Sequence, residues 1–478
     1  MMPKTKKQLK FFSFYDFPAI EKHLTNMAAE GWMIKSAEGN LWKYEQIEPK
    51  RLHFAVTYFP KAHALDPEPS EELKMLWDFC EHTGWKLAVQ AAQIQIFYNE
   101  AEHPRPIETD PVTQLENIHR AAKKSVLTNL WAGLFLGLLN LGLFFAQLFT
   151  QPVDTLADPL RLWSCGIWTL YLISILSEPI AYFRWYRKAH VIAQEEDRLA
   201  LPRDTRLRNN LIYILIMVAL VWLLLYLANS VVIQALIFTA AYGILIFVLV
   251  RGIMRYLKRR KVSAKVNISI TMIVSMVLAF ALVGPLTLAL IGATERGWIT
   301  DDNAAGTYTH EGRVWEYYED ELPLTVEDLT GKPEQGYSRR LITDSTIFLT
   351  RLEGQQRPRF DAENYKELSH LEYTILQVKM PFLFEPIKSA VINEYQDEVR
   401  EDYVLIDHYE PVDPAPWGAD EAYQHHWSES VLDTYLLVWG DRIVEINFYS
   451  QTPTTEQMAI VAEKLGNTPQ YLWDKVHG

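Results

Sequence analysis

The sequence predicts a multi-pass membrane protein in which a bundle of five transmembrane helices joins two α+β domains. Three observations predict this architecture. The chain contains five long apolar segments, its net charge changes sign from one region to the next, and both polar regions contain runs of alternating apolar residues. The composition averaged over the whole chain hides this organisation, because very apolar and very polar thirds cancel.

Each of the five apolar segments is long enough to cross a bilayer. A helix needs roughly 20 mostly apolar residues to cross about 30 Å of hydrocarbon. The segments lie at about 126–150, 162–183, 211–228, 231–250 and 266–291, and none of them has a Lys or Arg in its interior. Five such segments in series are not expected of buried helices in a soluble protein.

The charge differs strongly between the three regions of the chain. Residues 1–124 carry 16 Lys and Arg against 17 Asp and Glu, residues 125–292 carry 15 against 7, and residues 293–478 carry 15 against 35. The last region therefore has a net charge of −20. Nucleic acids bind through Lys and Arg that neutralise phosphates, so we expect no nucleic-acid partner for this acidic region.

The distribution of basic residues predicts the orientation. Basic residues concentrate at 119–124, before the first segment, and in the connections 184–208 and 251–265. The connections 151–161 and 229–230 carry only one basic residue between them. Because Lys and Arg are retained on the cytoplasmic side, we expect a cytoplasmic N-terminus and an extracytoplasmic C-terminus in the cell membrane.

The predicted domains follow from these boundaries. We expect a cytoplasmic α+β domain of ferredoxin-like type, a connecting helix, the five-helix bundle, a linker and an acidic extracytoplasmic α+β domain, at residues 1–108, 109–125, 126–292, 293–336 and 337–478. The connecting helix could transmit force from the domain to the membrane or could be a passive stalk.

Two tryptophans mark a repeated pattern in the N-terminal domain. Each of its two predicted helices ends at a glycine that a tryptophan follows, as Gly31-Trp32 and Gly84-Trp85. The domain therefore resembles two related helix–strand halves, with Trp32 and Trp85 as candidate functional residues. Packing of an aromatic ring against the last helical turn explains both tryptophans equally well.

Glu178 and Pro179 lie near the inner end of the second apolar segment. An ionisable group at membrane depth is costly and therefore a candidate for function, here a proton or cation site. The alternative is an interfacial ion pair between Glu178 and a nearby arginine such as Arg184.

Four residues of the C-terminal domain could bind a metal ion. Asp420, Glu421, His425 and His426 combine carboxylate and imidazole groups within seven residues. Adjacent histidines rarely converge on one ion, so a solvated loop is the alternative. The sequence lacks a nucleophile elbow, a zinc-protease helix, a phosphate loop and a dinucleotide fingerprint. We therefore expect neither an enzyme nor a bound cofactor or metal.

Several motifs resemble a known family. They are Phe11–Asp16, Met27–Trp32, Cys80–Trp85, Asp413–Asp420 and Trp439–Ile446. In these segments the chain resembles the domain-of-unknown-function 2812 family, which occurs in membrane proteins of Gram-positive bacteria. Members are often encoded beside PadR-like transcriptional regulators, so the resemblance implies signalling and a cytoplasmic partner connected with such a regulator. It implies no catalytic residue.

The sequence thus leads to two hypotheses of function. The first is a non-enzymatic sensor or regulatory protein that couples an outer domain to a cytoplasmic domain. The alternative is a transporter or permease-like component, for which Glu178 and Pro179 are the motivation. The expected partners are the lipid bilayer, a cytoplasmic protein and a second copy of the chain.

Overall fold

The structure is a computed structural model. It describes residues 4–124, 128–203, 206–226, 231–297, 301, 303–331, 335–363, 365–395, 398–399, 404–405, 407–428, 430–449 and 452–466. The chain divides into two compact units. One contains the N-terminal domain with the larger part of the apolar helices, and the other contains the C-terminal domain.

The N-terminal domain repeats one arrangement of strand, helix and hairpin. Its elements are β1 (Thr5–Leu9), α1 (Phe17–Ala29), β2 (Trp32–Glu38), β3 (Leu41–Gln46), β4 (His53–Tyr58), α2 (Glu71–His82), β5 (Lys86–Ala91), β6 (Ile94–Asn99) and α3 (Pro111–Ala122). The first half forms the sheet β1-β3-β2 and the second forms β4-β6-β5. The two sheets have the same topology, which confirms the expectation of two related halves.

The ferredoxin-like expectation is not confirmed. A ferredoxin-like domain places its strands in one sheet, whereas the described strands of this domain form two sheets of three. The reason lies in the pairing of the first strand of each half. Lys7 pairs with Lys43 and Val56 pairs with Ile96, so each half completes its own antiparallel sheet.

Both sheets pack into one main core. The apolar side of α1 buries Phe17, Ile20, Leu24, Met27 and Ala28 against β2, β3 and β4. On the other side of the second sheet, Cys80 of α2 packs against Trp85 and Phe97 in a smaller cluster. The second sheet is therefore covered on both faces.

Five helices of the described chain are long and apolar enough to span a membrane, as the sequence predicted. They are α4 (Thr128–Thr150), α6 (Pro159–Glu195), α7 (Arg206–Tyr226), α8 (Val231–Arg259) and α9 (Ala264–Glu295), and the short helix α5 (Pro152–Ala157) lies between the first two. The second of them, α6, is much longer than its predicted apolar segment 162–183. It has 37 residues and ends at Glu195.

The extension of α6 belongs to the core of the N-terminal domain. Tyr182, Trp185 and Ala189 are buried there together with Leu115 and Ile118 of α3. The Trp185 ring nitrogen donates a hydrogen bond to the Ala200 carbonyl at 2.8 Å. The connecting helix expected at 109–125 is therefore packed into the domain as α3 and is not a separate stalk.

The C-terminal domain is built on a seven-stranded antiparallel sheet in the order β14-β15-β16-β17-β11-β10-β9. Its elements are β7 (Gly306–His310), β8 (Arg313–Tyr317), α10 (Val326–Thr330), β9 (Tyr337–Ser345), β10 (Leu349–Pro358), β11 (Leu371–Val378), α11 (Pro381–Ile392), β12 (Glu398–Val399), β13 (Val404–Leu405), β14 (Asp407–Pro411), β15 (Glu421–Trp427), β16 (Ser430–Trp439), β17 (Arg442–Asn447) and α12 (Thr455–Val461). Helices α10 and α12 cover one face of the sheet, and α5 and α11 cover the other.

The segment 293–336 was expected to be a linker, and the structure corrects this expectation. It contains the hairpin β7–β8 and the helix α10, whose start is fixed by a capping box between Thr325 and Asp328. Leu324 and Val326 are buried in the core of the domain. These strands and this helix are too short to show a hydrophobic periodicity. The sequence pattern therefore did not predict them.

Glu21 is a partly buried residue of the N-terminal domain. It lies on α1, and one of its oxygens accepts a hydrogen bond from the Val56 backbone nitrogen at 2.9 Å. Burial raises the pKa of Glu21 to about 7 from its ordinary value of 4.5, although this hydrogen bond acts in the opposite direction. The folded protein therefore keeps a proton on Glu21 at a pH where the unfolded chain has lost it.

We expect the N-terminal domain to lose stability as the pH rises from about 4.5 to about 7, since folding then favours the protonated group. Glu21→Gln cannot ionise and keeps the acceptor oxygen, so it should stabilise the domain at pH 8 by roughly 1 to 3 kcal/mol. Hydrogen–deuterium exchange of α1 in the full-length protein, corrected for intrinsic rates, measures this effect. Glu48→Gln changes an exposed residue of the same domain and should have no such effect. Equal pH dependence in the parent and the Glu21 variant would contradict this prediction.

Candidate functional site

Glu178 is part of a polar cluster that fastens the N-terminal domain to the apolar helices. The Arg208 guanidinium donates to a Glu178 carboxylate oxygen at 2.6 Å, and the Ser13 hydroxyl donates to the same oxygen at 2.8 Å. Arg208 also donates to the Ser177 carbonyl at 3.1 Å. The neighbouring Asn209 amide donates to the Phe11 carbonyl at 3.4 Å. Residues from the loop between β1 and α1, from α6 and from α7 are therefore in contact in this cluster.

This geometry favours the ion-pair interpretation of Glu178 over a proton or cation site. The arginine partner is Arg208 of α7, however, and not the expected Arg184. Sequence distance suggested Arg184, whereas helix packing brings α7 alongside the residue. Pro179 is buried within α6 directly after the paired carboxylate.

Trp32 and Trp85 both serve the packing of the N-terminal domain. Trp85 is buried, and its ring nitrogen donates to the Arg105 carbonyl at 2.8 Å. Trp32 packs at the edge of the main core, with the Lys6 ammonium 5.4 Å from its ring centre. The glycines before them, Gly31 and Gly84, have φ of +84° and +87°, which residues with a side chain rarely adopt.

The structure does not bring Asp420, Glu421, His425 and His426 together. Asp420 accepts a hydrogen bond from the Gly440 nitrogen at 2.8 Å. Glu421 accepts from Lys388 at 2.9 Å and from the Tyr423 hydroxyl at 2.7 Å.

His425 and His426 are neighbours on β15, so their side chains point to opposite faces of the sheet. His425 lies 2.7 Å from Asp407, and His426 lies 3.6 Å from Glu410. Within the described residues, no group of three or more His, Cys, Asp or Glu side chains has a geometry that could hold a metal ion.

A cleft of about 970 Å³ in the C-terminal domain is the strongest candidate for a ligand site. It lies among the hairpin β7–β8, the strands β9 and β10, and the segment after β10. Its volume is at the upper end of the range that small-molecule sites occupy. No motif in the sequence pointed to this site.

Aromatic rings form much of the cleft wall. Trp315, Phe360 and Tyr449 are between 37% and 42% exposed, which is unusual for such large apolar side chains. The Trp315 and Phe360 rings meet edge to face with their centres 4.9 Å apart, and the Tyr365 ring is also edge to face with Phe360, with centres 5.7 Å apart. These contacts hold the rings in place without covering them.

Paired polar groups complete the cleft. The Arg340 guanidinium lies over the Tyr318 ring at 4.2 Å and pairs with Asp301 at 3.1 Å. The Tyr318 hydroxyl donates to Glu316 at 2.8 Å, and burial raises the pKa of Tyr318 above its ordinary value. Arg357 pairs with Glu372 on the neighbouring strand. The cleft thus offers fixed hydrogen-bond donors and acceptors beside apolar rings, as ligand sites commonly do.

The cleft was missed because eight of its 18 lining residues come from the segment expected to be a linker. The available signal was the concentration of aromatic residues at 308–318, where Tyr308, Trp315, Tyr317 and Tyr318 stand within an otherwise polar segment. Aromatic residues at that density are not typical of a linker.

The comparison with known families concerns the N-terminal part of the chain. Residues 16–131 match the family described as protein of unknown function (DUF2812). This match confirms the resemblance inferred from Met27–Trp32 and Cys80–Trp85. The DUF2812 segment covers most of the N-terminal domain, α3 and the beginning of α4. The resemblance at Asp413–Asp420 and Trp439–Ile446 lies outside the matched segment and stays a prediction.

No curated protein and no solved structure matches the chain.

We expect the polar cluster around Glu178 to contribute to the free energy of unfolding. Arg208→Ala leaves a half-buried carboxylate without its cation, so we expect a loss of roughly 1 to 3 kcal/mol, between the values for exposed and buried pairs. Adding Glu178→Ala should restore part of the loss, because no uncompensated charge remains. Thermal unfolding of the full-length protein in detergent, followed by tryptophan fluorescence, measures both changes.

Arg184→Ala is the matched control, because it removes the arginine that sequence distance suggested as the partner. Its unfolding midpoint should stay close to that of the parent protein. A loss on Arg184→Ala as large as that on Arg208→Ala would disprove the assignment of Arg208 as the partner.

Proposed function

We propose that the protein is a non-enzymatic membrane sensor. Its C-terminal domain lies outside the cytoplasm and binds a small ligand in the aromatic cleft. The change on ligand binding passes along α6 to the DUF2812 domain in the cytoplasm, which contacts a protein partner there. The family resemblance favours a partner connected with a PadR-like regulator.

The continuity of α6 is the observation that carries this proposal. The segment just before α6 is fastened to the sheet of the C-terminal domain. Asp154 of α5 pairs with Arg351 of β10 at 2.5 Å, and the Thr346 hydroxyl donates to the Leu156 carbonyl at 2.6 Å. One side of the last half of α6 is buried in the N-terminal core, through Tyr182, Trp185, Ala189 and Ala193. One unbroken helix therefore has its two ends in two different packed environments.

The charge distribution supports the proposed orientation. Five helices of the described chain are long and apolar enough to span a membrane, and an odd number of spans is consistent with domains on opposite faces. The basic connections 184–208 and 251–265 favour the cytoplasm for the face to which they belong. The N-terminal domain packs with both of these connections, through Trp185 and through a 2.7 Å hydrogen bond from Lys258 to the Ala64 carbonyl.

Transport is the competing hypothesis, and it rests on Glu178 and Pro179. Glu178 accepts hydrogen bonds from both Arg208 and Ser13, and this partnership favours a structural role. A carboxylate held by an arginine is a poor site for reversible ion or proton binding, since the arginine already compensates its charge. The geometry therefore supports sensing better than transport.

If α6 couples the two domains, loss of the ion pair between α5 and β10 should change the dynamics of the N-terminal domain. In Asp154→Ala we expect several-fold faster hydrogen–deuterium exchange in the part of α6 around Tyr182–Ala193. The full-length protein in lipid nanodiscs is the sample. Unchanged protection of β16 and β17 in the same experiment shows that the C-terminal domain remains folded.

Asp344→Ala is the matched control. Asp344 pairs with the same Arg351 at 2.6 Å but lies on β9, so its removal weakens the sheet without touching α5. Faster exchange near Tyr182 in both variants, or in neither, would rule out coupling through α5 and α6.

The proposed orientation is testable with single cysteines. Lys61 and Glu385 have side chains that are 68% and 72% exposed in the N-terminal and C-terminal domains. A membrane-impermeant maleimide should label Glu385→Cys in intact cells and Lys61→Cys only after permeabilisation. The parent protein, with Cys80 buried and Cys165 in an apolar helix, gives the background. Labelling of Lys61→Cys in intact cells would reverse the orientation.

A further inference from the structure

One face of the hairpin β7–β8 supplies aromatic rings to the cleft of the C-terminal domain. Tyr308 and Trp315 are directly opposite each other in the hairpin, so their side chains lie on the same face. Phe360, from the segment after β10, contacts the Trp315 ring, and its backbone nitrogen donates to the Tyr308 hydroxyl at 3.4 Å. Trp315 and Phe360 nevertheless remain more than one third exposed. The cleft therefore presents fixed apolar rings to a ligand.

The charged groups of the cleft balance one another. Its cations are Arg313, Arg340, Arg357 and Lys366, and the carboxylates that line it or pair with these arginines are Glu295, Asp301, Glu316 and Glu372. Each of the three arginines has a carboxylate partner, as in the 3.6 Å pair of Arg313 with Glu295. Burial lowers the pKa of His370 below its ordinary value of 6.5, so its ring is neutral at pH 7. The charges of the cleft thus sum to zero within a region of net charge −20, and the cleft favours neither an anion nor a cation.

Neutral polar groups in the same cleft have no partner in the protein. Within the described chain, no hydrogen bond occupies the Gln355 amide, the Trp315 indole nitrogen or the Tyr365 hydroxyl. The Ser338 hydroxyl accepts from the Tyr318 backbone nitrogen at 3.0 Å, and no acceptor among the described residues takes its proton. Polar groups in a cleft are stabilised when they form hydrogen bonds. These donors and acceptors suit the hydroxyl groups of a neutral ligand.

We propose that the cleft binds a neutral oligosaccharide. A sugar ring has an apolar C–H face, which packs on an aromatic ring, and hydroxyl groups at its rim, which donate and accept hydrogen bonds. Trp315 and Phe360 provide the aromatic rings, and Gln355 and Tyr365 provide the hydrogen bonds. An apolar ligand without hydroxyl groups would leave these polar groups unpaired, which costs free energy. The volume of about 970 Å³ accommodates more than one sugar ring. This proposal names the ligand class of the proposed sensor and therefore rests on ligand binding in the cleft.

Surface plasmon resonance of the full-length protein, captured in lipid nanodiscs, tests the proposal. The probes are the neutral tetrasaccharides chitotetraose, cellotetraose, xylotetraose and maltotetraose, and empty nanodiscs provide the reference. At least one of these probes should bind the parent protein. Tetragalacturonate is anionic and should bind at least about tenfold more weakly, because the surrounding domain is acidic. The proposal is overturned if none of the neutral probes binds, or if tetragalacturonate binds as tightly as they do.

Variants of the cleft locate the bound saccharide. Trp315→Ala should weaken the binding of the best probe by about tenfold or more, as the loss of an aromatic anchor commonly does. Trp315→Phe keeps an aromatic ring and should weaken binding only several-fold. Gln355→Leu removes the amide at similar volume and should also weaken binding several-fold.

Trp427→Ala is the matched control. Trp427 is a tryptophan of the same domain that is 50% exposed and lies outside the cleft. This variant should bind the probe as the parent protein does. An equal loss of affinity in Trp427→Ala and Trp315→Ala, or parental affinity in a folded Trp315→Ala, would show that the saccharide does not bind in the cleft.

Thermal unfolding of each variant in the same nanodiscs shows whether it is folded. If Trp315→Ala is not folded, Trp315→Phe and Gln355→Leu decide, and parental affinity in both overturns the proposal. The ligand class and the sensor function fail separately. A saccharide that binds without changing hydrogen–deuterium exchange around Tyr182–Ala193 contradicts sensing but supports the site. Absence of saccharide binding leaves the test of coupling with Asp154→Ala unaffected, because that experiment uses no ligand.

Discussion

The burial of the end of α6 is the constraint on which the N-terminal part of the structure depends. An apolar helix crosses a bilayer because its backbone groups satisfy one another where no water is present. This helix does not end where its apolar segment does, but continues to Glu195 and contributes Tyr182, Trp185, Ala189 and Ala193 to the core of a polar domain. A domain that shares its core with such a helix cannot move independently of it. This is why the N-terminal domain is better regarded as part of the membrane region than as a tethered module.

Electrostatic contacts reinforce this attachment at two points. The carboxylate of Glu178 receives donors from Arg208 and Ser13, and the ammonium group of Lys258 reaches the Ala64 carbonyl. Glu178 lies near the end of one apolar segment, and Lys258 lies two turns beyond the end of another. The same basic residues that predict orientation therefore also position the domain. Their number in the connections between apolar segments predicts the orientation, and their individual partners determine the local geometry.

The candidate sites show where sequence reasoning succeeds and where it fails. The sequence singled out Glu178 as an ionisable group near the end of an apolar segment, but its partner Arg208 is 30 residues away and became visible only through helix packing. The metal candidates His425 and His426 were grouped by sequence proximity, and strand geometry separates them to opposite faces. The aromatic cleft is formed by the hairpin β7–β8 together with β9 and β10, and the sequence of the hairpin segment shows no clear helical or strand periodicity. Proximity in sequence is a poor guide to proximity in space when strands intervene.

The sequence by itself determined the five apolar helices, the acidic character of the C-terminal domain and the two related halves of the N-terminal domain. These features depend on local composition and periodicity, which burial in lipid or in a core imposes on neighbouring residues. The tertiary structure alone decided the pairing of strands into two sheets, the packing of α3 and α6 into the N-terminal core, and the walls of the cleft. Each of these depends on contacts between residues far apart in the chain, whose free energies are set by packing and have no local pattern.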